Sequence, residues 1–217
     1  MSTESMFKHR EININGQMQQ LLWPAIDEGC LEIISLDWSE MNPIIVEHTP
    51  TRHTVVQAGG NCGLYPLLHS LQFDRVFTFE PDPVNFYCLA NNCKHNRIVK
   101  FNTAVGEGPA SLEMGIVEHK NVGMHKIGAG EVKVYSMSID SLAIPDVSLL
   151  HLDVEGYELN ALKGSVETIN RCRPTIAVEI SQDEEETKQF IESLNYKLIY
   201  SKVGNSANYI YIPKERA

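Results

Sequence analysis

Three carboxylates and one imidazole stand in or directly after short apolar runs of this chain. Glu80 follows RVFTF, His151 and Asp153 lie in VSLLHLDV, and Glu179 ends PTIAVE. A carboxylate at the end of a sheet strand accepts hydrogen bonds from a bound diol, and an imidazole or carboxylate beside a hydroxyl takes its proton as a group is transferred to the oxygen. Just upstream, VVQAGGNCG (55–63) sets Gly59, Gly60 and Gly63 directly after an apolar run. Glycines there let the main chain come close to a ligand, and a following helix points its free N–H groups at whatever is bound.

Such residues act together only if a parallel sheet delivers them to one edge. From His53 onward short apolar runs alternate with helical stretches: TVVQA, LYPLLHSLQF, RVFTFE, VNFYCLANNCKHN and IVKFNTAV. That alternation predicts βαβ units. The second half continues with VYSMSIDSL, VSLLHLDV, a helix expected from about Glu158 to Asn170, PTIAVEI, and an acid-led helix in DEEETKQFIESLNY. KLIYSK and NYIYIPK then read as an antiparallel hairpin across VGNSA. The predicted fold is α/β and Rossmann-like, a mostly parallel sheet with helices on both faces and a C-terminal antiparallel hairpin. Residues 1–50 carry the least pattern and are expected to be an extension packed on a domain of residues 51–217, with a helix near Gln17–Leu22 that Pro24 ends. The stretch 107–131 holds five glycines and little periodicity. It reads as an insertion or lid, carrying His119 and His125 over a substrate.

Glu80 at the end of the second strand suits the two hydroxyls of an adenosine ribose, so glycine turn and acid converge on an adenosine cofactor. NAD and S-adenosylmethionine both meet that requirement. The dinucleotide fingerprint GxGxxG is broken here, because Gln57 replaces its first glycine. S-adenosylmethionine has no phosphate and presents a sulfonium, an ammonium and a carboxylate, which suits the loop better.

VVQAGGNCG, FEPDPVNFYCLANN, NTAVGE, SIDSL, LLHLDVEGYELNALKGS and RPTIAVEI, in this order, resemble the FkbM family of S-adenosylmethionine-dependent methyltransferases over roughly residues 53–212. FEPDP followed by DVEGYELNALKG is the most specific part. The resemblance implies a class I methyltransferase fold, a seven-stranded sheet whose last strand is antiparallel, and O-methylation of a hydroxyl on a small molecule, sugar or glycan. It implies that Gln57, Gly59, Gly60, Asn61 and Gly63 form the cofactor loop, that Glu80 holds the ribose, that Thr103, Ala104 and Val105 line the adenine, and that Asp153 sits near the sulfonium. The family usually carries aspartate at position 57 and lysine at 151; Gln57 keeps hydrogen-bonding capacity but loses a charge beside a cationic ligand.

For the base that takes the hydroxyl proton the candidates are Asp153, His151 and Glu179. Strand alternation puts His151 and Asp153 on one side, about 6.6 Å apart by strand geometry, where they can share a hydrogen bond. The plainer readings are a core histidine for His151 and a helix cap for Asp153 and Glu155. Asp153, Glu155 and Glu179 are oxygen ligands a hard cation accepts, but nothing fixes their spacing and no metal is assigned.

The 28 acids and 18 bases give a formal charge of -10, which repels a phosphate backbone, so no nucleic-acid partner is expected. Five scattered cysteines without a CxxC pair suit reduced thiols in a cytosolic protein. MSTESMFKHR has no apolar leader segment and no long apolar run follows, so no membrane partner is expected.

Overall fold

The computed structural model describes residues 6–116, 120–128, 130–203 and 207–217. His119 and the Gly-Asn turn between the last two strands lie outside them. The chain opens with β1 (Phe7–Ile14) and β2 (Gln17–Pro24), an antiparallel hairpin turning at Asn15-Gly16. The helix expected near Gln17–Leu22 is therefore a strand. Asn15 and Gly16 have φ of 51° and 82°, and Asn13 Oδ1 accepts the Gly16 N–H at 2.8 Å. Asn-Gly is the residue pair such a turn selects, and the turn fixes the register. Helix α1 (Cys30–His48) follows.

Then come β3 (Thr54–Ala58), α2 (Leu64–Ser70), β4 (Arg75–Phe79), α3 (Pro83–Asn92), β5 (Ile98–Phe101) and the short β6 (Ala104–Val105). Strand β3, TVVQA, and the later strand VSLLHL are buried at every position, as expected of parallel strands covered on both faces. Asp82 caps α3 by accepting the Val84 and Asn85 N–H groups at 2.7 and 2.9 Å, and Pro83 supplies a first-turn residue that needs no donor.

The described part of residues 107–131, expected as an insertion or lid, belongs to a second sheet. β7 (Ala110–Gly115) and β8 (Lys126–Ile127) join β6 and β9 (Val132–Met137) in a four-stranded sheet ordered β6-β9-β7-β8, with Met114, Val122 and Val134 buried. β10 (Val147–Leu152) leads to α4 (Glu158–Lys163) and α5 (Val166–Cys172). The single helix expected here is broken at Gly164, which lies so close to the Gly106 carbonyl that a Cβ would collide with it. β11 (Thr175–Glu179), α6 (Glu184–Ser193), β12 (Tyr196–Val203) and β13 (Ala207–Pro213) complete the fold.

The main sheet has seven strands ordered β12-β13-β11-β10-β3-β4-β5. β3, β4, β5, β10 and β11 pair in parallel, and β13 runs antiparallel between β11 and β12. The expected sheet and closing hairpin are thus both present. One face buries Ala161, Leu162, Ile169 and Ile191 of α4, α5 and α6; on the other, Met41 and Ile45 of α1 pack with Val55, Leu149 and Ile210. The hairpin joins this body through Leu21, Trp23 and Ile14, which pack with Cys62, Leu64 and Cys88. Asn92 fixes the junction: its side chain accepts from Leu22 N at 2.8 Å and donates to Leu22 O and Cys62 O at 2.9 and 2.8 Å.

Candidate active site

Register brings the chemical residues together. Ala58 pairs with Phe79 of β4 and Leu152 of β10, and Leu152 pairs with Val178 of β11. The residues that follow these four are Gly59, Glu80, Asp153 and Glu179, so they stand side by side at the carboxyl edge. All four line one cavity of about 610 Å³. Its other walls include parts of α1, Tyr65, Ala104 and Val105, Met114, the segment Asn121–Ile127, and the residues that follow Asp153 and Glu179.

Gly59 has φ of +83°, and a Cβ on it would overlap the main-chain carbonyl of Asp153. The β3 turn and the end of β10 are therefore as close as main chains can come, and no side chain fits there. Gly59 N and Gly60 N both donate to Phe79 O, at 3.0 and 2.8 Å. Asn61 N donates to Glu80 Oε2 at 2.6 Å, and Asp82 N to Glu80 Oε1 at 2.8 Å. Each Glu80 oxygen keeps further acceptor capacity beyond its backbone partner. Burial, reinforced by Asp82, pushes the Glu80 carboxyl up to about 7 against the pull of the two N–H groups and His125.

The other loop residues act from behind. Gln57 is fully buried, donates to Ala58 O and Gly59 O at 3.2 and 2.8 Å, and accepts from Thr78 Oγ1 at 2.6 Å. It braces the turn and does not line the cavity. Gly60 and Gly63 face Leu89 and Cys93 of the α3 region, where added side chains would clash. Thr103 turns to Tyr135 O at 2.6 Å, while Ala104 and Val105 are buried in the cavity wall.

His151 is not beside Asp153. Its Nδ1 pairs with His69 Nε2 at 3.0 Å, its ring lies 4.7 Å from that of Tyr65, and it is 2% exposed. Burial pushes His151 down to about 4 and His69 also below its ordinary value, so one neutral ring donates to the other. The hydrogen bond expected between His151 and Asp153 does not form, because β10 ends at Leu152 and Asp153 turns into the cavity.

The carboxylates that raise one another by charge are Asp153, Glu155 and Glu179. Burial and then Glu179 and Glu155 hold Asp153 well above the ordinary range; burial and then Glu155 push Glu179 up to about 8; burial and then Glu158 push Glu155 up to about 7. Among the described residues no group of three or more His, Cys, Asp or Glu side chains is arranged to hold a metal ion. No helix of the described residues is long and apolar enough to cross a membrane.

The sequence reading missed the wall that α1 supplies: Cys30, Ile33, Ile34 and Asp37, with Tyr65 beside them from α2. The spacing Leu31, Ile34, Trp38, Met41, Ile45 is helical and would have placed Asp37 on the edge of the apolar stripe. His125, expected in a lid, is held with its segment to the start of α3: His125 Nδ1 lies 2.9 Å from Asp82 Oδ2, and Asn85 Nδ2 donates to Val122 O at 2.8 Å. Asp27 anchors the same segment by accepting Val122 N at 3.2 Å and Trp23 Nε1 at 2.8 Å.

A seven-stranded sheet in this order, with a glycine turn after its first strand and an acid ending the next, defines a Rossmann-like class I methyltransferase fold. The methyltransferase FkbM domain model matches residues 72–198, and the chain belongs to that family. Hexuronic acid methyltransferase AglP of Haloferax volcanii is 26% identical over 130 residues, covering 56% of this chain. The chain spans about half (53%) of that relative's length. Among solved structures, methyltransferase FkbM of Methylobacillus flagellatus superposes with a TM-score of 0.53 at 21% identity, over 73% of this chain and 43% of that one. The fibrillarin pre-rRNA processing protein of Methanococcus jannaschii gives 0.53 at 11% identity, over 99% and 86%.

Proposed function

We propose that this protein is an S-adenosylmethionine-dependent methyltransferase acting on a hydroxyl of a small molecule, sugar or glycan. One observation carries the reading: Glu80, with each carboxyl oxygen fixed by one backbone N–H, lies on the cavity wall beside a turn that only Gly59 fits. A carboxylate oriented in this way is ready to accept a diol without reorganising. Glu80 would hold the ribose, Gly59 and Asn61 the methionine part, Ala104 and Val105 one face of the adenine, and Asp153 the region of positive charge. S-adenosylmethionine supplies, when bound, an electrophilic methyl group on a sulfonium. The chain's own task is to orient the acceptor oxygen in line with that methyl and to take its proton. Asp153 and Glu179 both line the cavity, and one of this pair is the base; a proton affinity near neutrality suits Glu179 to the role. The relative's printed activity on a hexuronic acid supports a sugar as acceptor. Calorimetric titration with S-adenosylhomocysteine and, separately, NADH tests the cofactor. Binding of the first alone is expected; binding of NADH alone, or of neither, would overturn the proposal.

A further inference from the structure

The cavity has a second end, away from Glu80, that the cofactor contacts leave unexplained. Asp37 from α1 and Glu179 line it with Asp153, which this end shares with the cofactor, and with Tyr65, whose hydroxyl feels the charge of all three. Tyr65 is 3% exposed, lines the cavity, and its hydroxyl makes no hydrogen bond among the described residues. The carboxylates of Asp153 and Glu179 likewise have no hydrogen-bond or ion-pair partner among them. Of the nearby cations, Lys202 pairs with both Glu40 and Asp37, the latter at 3.8 Å, and Lys126 and His125 act on Glu155. Lys202 answers Asp37 alone, and positive charge is in deficit at Asp153 and Glu179, on which only other acids act.

We infer that this end receives a protonated amine of the acceptor, so that the hydroxyl to be methylated belongs to an amine-bearing molecule such as an amino sugar, and that a uronate is refused. The inference rests on the methyltransferase reading of the site. S-adenosylmethionine brings a sulfonium and an ammonium against its own carboxylate, one net positive charge, which leaves the surplus acids unanswered. An ammonium beside Asp153 and Glu179 gains their attraction in a water-poor cavity and offsets their mutual repulsion. The Tyr65 hydroxyl, kept protonated by burial and by these acids, is a donor for a neighbouring acceptor oxygen. A uronate carboxylate placed here adds a further like charge to a buried cluster, the arrangement that excludes a wrong ligand most strongly.

The test is calorimetry on the full chain loaded with S-adenosylhomocysteine, titrated at pH 7 with the methyl glycosides of glucosamine, glucose and glucuronic acid. The amine is expected to bind at least about tenfold tighter than the neutral sugar, with the uronide weakest. Asp37→Asn and, separately, Glu179→Gln are expected to shrink the amine's advantage to about threefold or less. Uronide binding as tight as amine binding, equal binding of the three, no binding of any, or an amine preference that survives both substitutions would overturn the inference. So would uronide binding that needs added magnesium, since the acids would then serve a metal ion. The loading titration separates the two levels: failure to bind S-adenosylhomocysteine defeats the methyltransferase reading itself, whereas loading without amine preference defeats only this inference.

Discussion

The two ends of the cavity are built in opposite ways. The Glu80 end is made of main chain: the Gly59 turn, the N–H groups of Asn61 and Asp82, and three strand ends held level by the sheet register. The Tyr65 end is made of side chains, Asp37 from α1, Tyr65 from α2, Asp153 after β10 and Glu179 from β11, drawn from elements far apart in sequence. Backbone geometry is set by the fold and admits little variation, so the first end suits a ligand common to many enzymes. The second can change residue by residue without disturbing the sheet, and it is where the proposal places specificity.

That contrast breaks most visibly at Gly59. Gly59→Ala forces a Cβ into the Asp153 carbonyl from a left-handed backbone, at an expected cost of about 3 kcal/mol or more and with loss of measurable S-adenosylhomocysteine binding. Urea denaturation and calorimetry check both; a variant of ordinary stability would show that the turn and β10 are not in contact. A smaller effect is expected where the hairpin meets the glycine turn. Asn92→Ala removes three hydrogen bonds and should cost about 2 kcal/mol in urea denaturation. Unchanged stability would mean that the hairpin docks through its apolar contacts alone.

The smallest effect is electrostatic and joins the two ends. Glu80, Glu155 and Glu179 are pushed up to about 7, 7 and 8 from 4.5, so above pH 4.5 the folded chain holds protons that the unfolded chain has released, and these groups make stability fall as pH rises toward 8. His151, pushed down to about 4 from 6.5, works the other way, with stability rising between those values. Between pH 6.5 and 8 the carboxyls act alone, and the melting temperature of the unliganded protein should fall by a few degrees, about 2 to 5 °C. A rise over that window would contradict the charge assignment. Proton NMR offers a companion check, since one imidazole should stay neutral until pH about 4.

The difference between the ends also explains what the sequence disclosed. Gly59, Glu80, Asp153 and Glu179 were legible because each closes a short apolar run, and parallel strands in a common register bring such ends together whatever fills the helices. His151 misled because alternation places it correctly on a strand face but is silent about which element covers that face; here α2 supplies His69. The hairpin was hidden by QMQQLL, which lacks strand alternation and is decided by its Asn-Gly turn and by Leu21 and Trp23 packing beneath it. Asp37 and Tyr65 could not be joined from sequence, because their meeting depends on how α1 lies against α2 rather than on any local spacing.

The most direct measurement is a crystal structure of the protein with S-adenosylhomocysteine. The ribose hydroxyls are expected on the Glu80 carboxylate, the main chain of Gly59 against the homocysteine, and the purine on Ala104 and Val105, with the Tyr65 end left free for an acceptor. A ligand bound elsewhere, or bound here without contact to Glu80, would contradict the account.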